Sequence, residues 1–156
     1  MEKYTIVRTN DINLARKEIS KAIKENKKII VHNDNDIFNR QILENKNVDI
    51  FAVSNYQKKS RLKQRESGIN QVLCKLAVHN NIKIALDLKI LKNKSEKETA
   101  DIISKMIENI RLFKKYKNKV ILLNAQKNKH DLFSLLLSLG MPTDMAKYAV
   151  DNSIKE

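Results

Sequence analysis

Apolar residues follow two habits along this chain. Short runs rich in β-branched side chains read as strands: Lys3–Val7, Ile29–Val31, Val48–Val53, Ile82–Leu88 and Val120–Leu123. Between them, apolar positions recur every three or four residues, the period of a helix with one face on a core. Ile12, Ala15, Ile19 and Ile23 mark a first helix, capped by Asn10 or Asp11 and ending near Glu25. Ile37, Phe38, Gln41 and Ile42 mark a second, ending near Glu44, and Ile69, Val72, Leu73, Leu76 and Ala77 a third. After a looser segment, Lys89–Lys97, the longest helix carries Ile103, Met106, Ile107, Ile110 and Phe113, with Ser95 or Thr99 as its cap. Asp131 opens a very apolar helix (Leu132, Phe133, Leu135, Leu136, Leu137, Leu139), where Gly140 suits a left-handed C′ position and Pro142 bars continuation. A last helix covers about Thr143–Val150, and residues 151–156 are expected to fray.

The predicted order is β-α-β-α-β-α-β-α-β-α-α. Alternation of this kind, with short strands apolar on both faces, implies an α/β fold: a parallel sheet of alternating βα units joined by right-handed crossovers. At 156 residues the chain is one domain's worth, too short for eight βα units, so its five strands form an open sheet or an incomplete barrel.

Composition adds a partner. The chain has 31 Lys+Arg against 18 Asp+Glu, a formal charge of +13. A balance of that size speaks to association rather than to fold, and nucleic acid is the leading partner. Residues 1–56 carry 10 basic and 8 acidic side chains, residues 57–75 carry 6 and 1, and residues 76–156 carry 15 and 9. The local maximum is Gln57–Ala77. There Lys58, Lys59, Arg61, Lys63 and Arg65 lead through Ser67-Gly68 into the third helix, which adds Lys75. Such a cluster binds phosphates by releasing counterions, and the two arginines can form bidentate contacts. The alternative is a solvated surface segment. Tyr56 is the one aromatic beside it, which favours structured RNA or a duplex backbone over stacked single strands.

A metal-dependent phosphoesterase site is the second candidate. His32, Asp34 and Asp36 follow a strand's C-terminal end, where parallel α/β proteins place their chemistry, and Asp87 follows another. Such a set can hold Mg or Mn and activate water. The same residues also serve as turns and N-caps. Gly68 and Gly140 are the only glycines, so a phosphate loop, a dinucleotide fingerprint and a nucleophile elbow are all excluded. The single Cys74, read as a semi-buried helix thiol, excludes an internal disulfide and a cysteine-based zinc site. No apolar run approaches a membrane span and the N-terminus has no signal-peptide core, so a cytoplasmic protein without a membrane partner is expected.

Three blocks carry a family likeness: NRQILENKNVDIFAVS (Asn39–Ser54), RESGINQVLCKLA (Arg65–Ala77) and NNIKIALDL (Asn80–Leu88). Val120–Leu123 with Asn124-Ala125, then DLFSLLLSLGM (Asp131–Met141) and Ala146, continue it. Together, over roughly Lys28 to Val150, they resemble ribonuclease P protein component 3. Ser67, Gly68 and Asn70, with Ile69 between them, and Leu139-Gly140-Met141 are its most specific parts.

The resemblance implies a TIM-barrel-like fold related to the PHP phosphoesterases. It implies a noncatalytic subunit of archaeal-type ribonuclease P, which matures the 5′ ends of tRNA precursors. In that family the RNA subunit carries the active site and its Mg, and the protein binds no cofactor directly. The implied partners are the ribonuclease P RNA, protein component 2, the other protein subunits and, indirectly, precursor tRNA. Family members usually carry further βα units at the N-terminus. Without them the sheet edges need covering by a partner or by a second copy in a homodimer.

Overall fold

The computed structural model describes residues 3–54, 56 and 67–156. Among them, strands β1 (Tyr4–Val7), β2 (Lys28–His32), β3 (Ile50–Val53), β4 (Lys83–Asp87) and β5 (Val120–Leu123) form one sheet. The helices are α1 (Ile12–Lys24), α2 (Asp36–Leu43), α3 (Gln71–His79), α4 (Glu96–Tyr116), α5 (Lys129–Ser138) and α6 (Thr143–Asp151). Every neighbouring strand pair is parallel, and the spatial order β1-β2-β3-β4-β5 is the chain order. With right-handed crossovers, that order sends every connection the same way and puts its helix on the same face. A doubly wound sheet reverses its order at a switch point, and none occurs among the described strands. The architecture is the singly wound, TIM-barrel-like one.

Short polar side chains set the helix starts. Asp11 Oδ1 accepts the N–H of Asn13 at 2.7 Å; Asn35, Asn70 and Asn128 cap α2, α3 and α5 in the same manner. Ser95 and Glu98 form a capping box on α4. Four of the described helices stop on a left-handed residue: Asn26 (φ +52°), Asn81 (φ +56°), Lys117 (φ +56°) and Gly140 (φ +93°). At Gly140 the stop is a Schellman pair, Gly140 N–H to Leu137 O and Met141 N–H to Leu136 O, both 3.0 Å. Asn26 and Asn81 close the same pair of bonds, which lets the chain manage with two glycines.

The sheet is buried on both faces. Val7, Ile29, Val31, Phe51, Val53, Ile84, Leu86, Val120 and Leu122 meet the helices, with Ile19, Leu73, Ile110 and Phe113 opposite them. The alternate residues Ile30, Ile50, Ala52, Ala85, Ile121 and Leu123 form a second cluster, joined by Tyr4, Tyr148 and Ile154. Some helix faces turn relative to expectation. Ile23, Ile37 and Val72 are exposed; Ala22 takes the core position in place of Ile23, while Phe38 and Leu73 are buried as expected. The stripe of α4 runs through Ile102, Lys105, Met106, Asn109, Ile110 and Phe113, leaving Ile103 and Ile107 half-buried. Cys74 is fully buried rather than semi-buried, because α3 lies between α2 and α4.

The tail after Asp151 does not fray. Ile154 pairs in parallel with Leu123: its N–H donates to Leu122 O at 2.9 Å and its carbonyl accepts from Asn124 at 2.8 Å. It therefore occupies the position of a strand beyond β5. On a flat sheet β2 would lie four strand spacings away, about 19 Å. Two extended residues advance about 7 Å along the strands rather than across them, yet the Glu156 carboxylate lies 2.5 Å from His32 Nε2 at the end of β2, and Tyr4 of the far edge strand packs on the same cluster as Ile154 and Tyr148. The sheet is thus rolled, and the tail spans the gap between its edges. The described strands form an open five-stranded sheet, in an order that suits the TIM-barrel-like reading.

Candidate nucleic-acid interface

The basic cluster Lys58, Lys59, Arg61, Lys63 and Arg65 lies outside the described residues. What flanks it is well defined. Lys105 and Asn109 project from one face of α4, one turn apart. Lys105 Nζ donates to the Tyr56 carbonyl at 2.7 Å, and Asn109 Nδ2 donates to the Ser67 carbonyl at 2.9 Å. Both side chains are buried, as are Tyr56 and Ser67. Lys105 also pairs with Asp101 Oδ2 at 2.9 Å, so its charge is compensated where it enters the core. The described residues on either side of the segment are therefore fixed to the same helix.

The expected signature residues complete this attachment. Ser67 Oγ donates to the Ile69 carbonyl at 3.3 Å. Gly68 has φ +83°, a conformation that side chains disfavour, and turns the chain toward α3. Asn70 Oδ1 then accepts from Val72 and Leu73 N–H, each at 3.0 Å, and starts the helix. Next door, Asn118 Nδ2 holds the Cys74 carbonyl at 2.9 Å and so fastens α3 to the end of α4.

Lys75 faces outward from α3. Its ammonium stands 5.5 Å from the centroid of the Tyr116 ring, at the same distance as that of Lys115. The Tyr116 hydroxyl donates to Gln71 Oε1 at 3.1 Å, which links this patch to the first turn of α3. Tyr56, by contrast, is buried, and burial pushes its phenol well above the ordinary value, with Asn109 pulling the other way. It offers no stacking platform.

The residues of the metal alternative are not brought together. Among the described residues no group of three or more His, Cys, Asp or Glu side chains is placed to hold a metal ion. Asp36 is the first, exposed residue of α2. Asp34 is half-buried, its N–H bonded to Asn39 Oδ1 at 2.7 Å. Asp87 Oδ1 accepts from Lys89 N–H at 2.9 Å and from Asn124 Nδ2 at 3.1 Å. His32 binds Ser54 Oγ through Nδ1 at 2.7 Å and Glu156 through Nε2. The turn-and-cap reading of these positions describes Asp87, which caps the short helical turn Leu88–Leu91.

Residues not anticipated are Lys105, Asn109, Asn118, Asn124, Arg8 and Glu156. A signal existed for the first two. Both fall on the apolar period of α4, where a Lys and an Asn are out of place unless they bond buried groups.

No protein-family model matches the chain. Ribonuclease P protein component 3 of Methanosarcina mazei is 31% identical over 112 residues, and that of Methanosarcina acetivorans is 30% identical over 113. The protein of the same name in Methanosarcina barkeri is likewise 30% identical over 113 residues. Each match takes in 72% of this chain and 44% of the relative, so the chain spans less than half the length of the curated relatives it matches. One chain of an archaeal ribonuclease P, solved by cryo-EM with mature tRNA, superposes with a TM-score of 0.78 at 25% identity. That superposition covers 95% of this chain and 64% of the other.

Proposed function

The chain is a homologue of ribonuclease P protein component 3, and we propose that it is an RNA-binding scaffold subunit of an archaeal-type ribonuclease P. The carrying observation is the attachment of Tyr56 and Ser67 to α4, which frames the most basic segment of the chain between two fixed points. Fixing the ends of a cationic segment lowers the conformational entropy lost when it meets a phosphate backbone. Lys58, Lys59, Arg61, Lys63 and Arg65 contact backbone phosphates, and Lys75 extends the contact along α3. Contacts of this kind position an RNA without reading its bases. Specificity then comes from the fold of the RNA.

In this reading the RNA subunit and its Mg carry out the cleavage of precursor tRNA. The protein works beside component 2 and the other protein subunits. The edges of the rolled sheet are where such a partner, or a second copy of the chain, would pair. The test is copurification of the tagged full chain from its native cell. Recovery of a structured RNA together with component 2 is expected; recovery of the chain free of RNA would overturn the proposal.

A further inference from the structure

The carboxylate of Glu156 is held as a bound anion would be. Its Oε1 lies 2.5 Å from His32 Nε2, and its Oε2 accepts from Asn124 Nδ2 at 3.2 Å. The Arg8 guanidinium closes on the same Oε2. The Glu156 N–H donates to Asn124 Oδ1 at 3.1 Å, which orients the amide. Behind the imidazole, Ser54 Oγ lies 2.7 Å from His32 Nδ1, and Ser54 is itself placed by its N–H to Asn33 Oδ1 at 2.9 Å. The His32 side chain is 6% exposed and that of Glu156 is 9% exposed. Burial acts to raise the Glu156 carboxyl. The hydrogen bonds from His32 and Asn124, with the charges of His32 and Arg8, outweigh it and hold the carboxyl below its ordinary value.

These groups come from four separate places: the residue after β1, the end of β2, the residue after β5 and the tail. They meet at the C-terminal end of a parallel sheet, where α/β folds bind ligands. Asn124 adopts φ +57° there, an uncommon conformation outside glycine. A cleft of about 320 Å³ opens on the side of Arg8 and His32, two of the residues that touch the carboxylate, and is lined further by Thr9, Asp34 and Ser54 among others. Asp87 stands behind Asn124 with its Oδ1 already bonded to that amide and to the Lys89 N–H.

We propose that Arg8, His32 and Asn124 form a phosphate-binding site, and that Glu156 occupies the anion's place until a phosphate displaces it. A guanidinium, an imidazole and a side-chain amide converging on one point are the donors that a tetrahedral oxyanion uses, and guanidinium suits it best. Upstream of Glu156 the tail is held by the Leu123–Ile154 bridge with its two backbone hydrogen bonds, and Glu156 itself by His32, Arg8 and Asn124, so a phosphate that takes over those three groups competes only for the last residue of the tail. The cleft leaves room for whatever the phosphate is attached to. The site owes nothing to the basic segment of residues 57–66 and stands or falls separately from RNA binding there.

The test is inorganic phosphate titrated into the full chain by calorimetry, with fold checked by circular dichroism and melting. Glu156→Gln keeps the size of the side chain and removes its charge. This variant is expected to bind phosphate about tenfold more tightly than the unaltered chain, because the internal competitor is weakened. Adding the exposed change Arg8→Ala should cancel the gain without unfolding the protein. A 5′-phosphorylated trinucleotide and its unphosphorylated counterpart then identify the source. Displacement of phosphate by the first alone indicates a terminal phosphate, by both a backbone diester, and by neither the free ion. Equal phosphate affinity with and without Glu156→Gln, or binding indifferent to Arg8→Ala in that background, would overturn the site.

Discussion

Lys105 and Asn109 stand one turn apart on α4 and bond the carbonyls of Tyr56 and Ser67, the described residues flanking segment 57–66. The described residues on either side of the most cationic stretch are thus held by one helix, and the expected signature Ser67, Gly68 and Asn70 lies on the side leading into α3.

That relationship makes a prediction about two buried side chains. Lys105→Met and Asn109→Leu each leave a buried carbonyl without its donor, at a cost of about 1–3 kcal/mol. Urea denaturation reads that loss directly. Measured on folded protein, RNA affinity should also fall, although both side chains are buried. Unchanged affinity would mean that the segment is positioned without them.

Glu156 supplies a pH dependence with a definite sign. Its carboxyl is held below the ordinary value in the folded chain, so the tail's stabilisation is complete above the normal carboxylate range. It is lost as the pH falls through the lowered folded value. The groups facing the carboxylate are Arg8, His32 and Asn124, with Asp87 bonded behind Asn124. Amide exchange at Ile154, followed from neutral pH downward, should stay protected until that point and then rise. In Glu156→Gln the acid-dependent step should vanish. An ordinary titration of Glu156 with Ile154 unaffected would contradict the docked tail.

Cys74 tests the packing of α3. The thiol is buried and its pKa is pushed up to about 12 by that burial. At neutral pH it should resist an aromatic disulfide reagent in native protein and react fully in denaturant. Fast native labelling would mean that α3 leaves its place between α2 and α4.

Gly140 separates backbone strain from packing. A Cβ there would meet nothing within 4 Å, yet φ is +93°. Gly140→Ala should therefore cost about 1–2 kcal/mol through the left-handed conformation alone. A urea midpoint unchanged from that of the unaltered chain would contradict the Schellman stop on α5.

Much of the fold was legible because its signals are local. Runs such as Ile29–Val31 and Val120–Leu123 are buried on both faces, which marks parallel strands without any partner in view. Asp11 and Ser95 cap within three residues of themselves, so those helix starts can be read in place, whereas α3 and α5 begin at Gln71 and Lys129, after the caps Asn70 and Asn128, and not at Ile69 and Asp131. The glycine count says little about helix ends, because Asn26 and Asn81 take left-handed positions. The tail was illegible for a physical reason: Ile154 is one apolar residue in a polar stretch, and its meaning depends on Leu123 and on a rolled sheet. The same holds for Glu156 and His32, which meet across 124 positions of chain. The charge cluster and the expected signature are plain in the sequence, whereas the tethers are not, since Lys105 and Asn109 act on carbonyls more than forty residues away.

RNA binding by the basic segment is tested most directly by a salt titration. The full chain and a form with Lys58, Lys59, Arg61, Lys63 and Arg65 all changed to Gln are compared on the catalytic RNA of an archaeal-type ribonuclease P. Each lost phosphate contact should reduce the slope of log affinity against log salt by about one unit, with weaker binding at every salt concentration. Equal affinities and equal slopes for the two proteins would contradict a phosphate-binding role for residues 57–66.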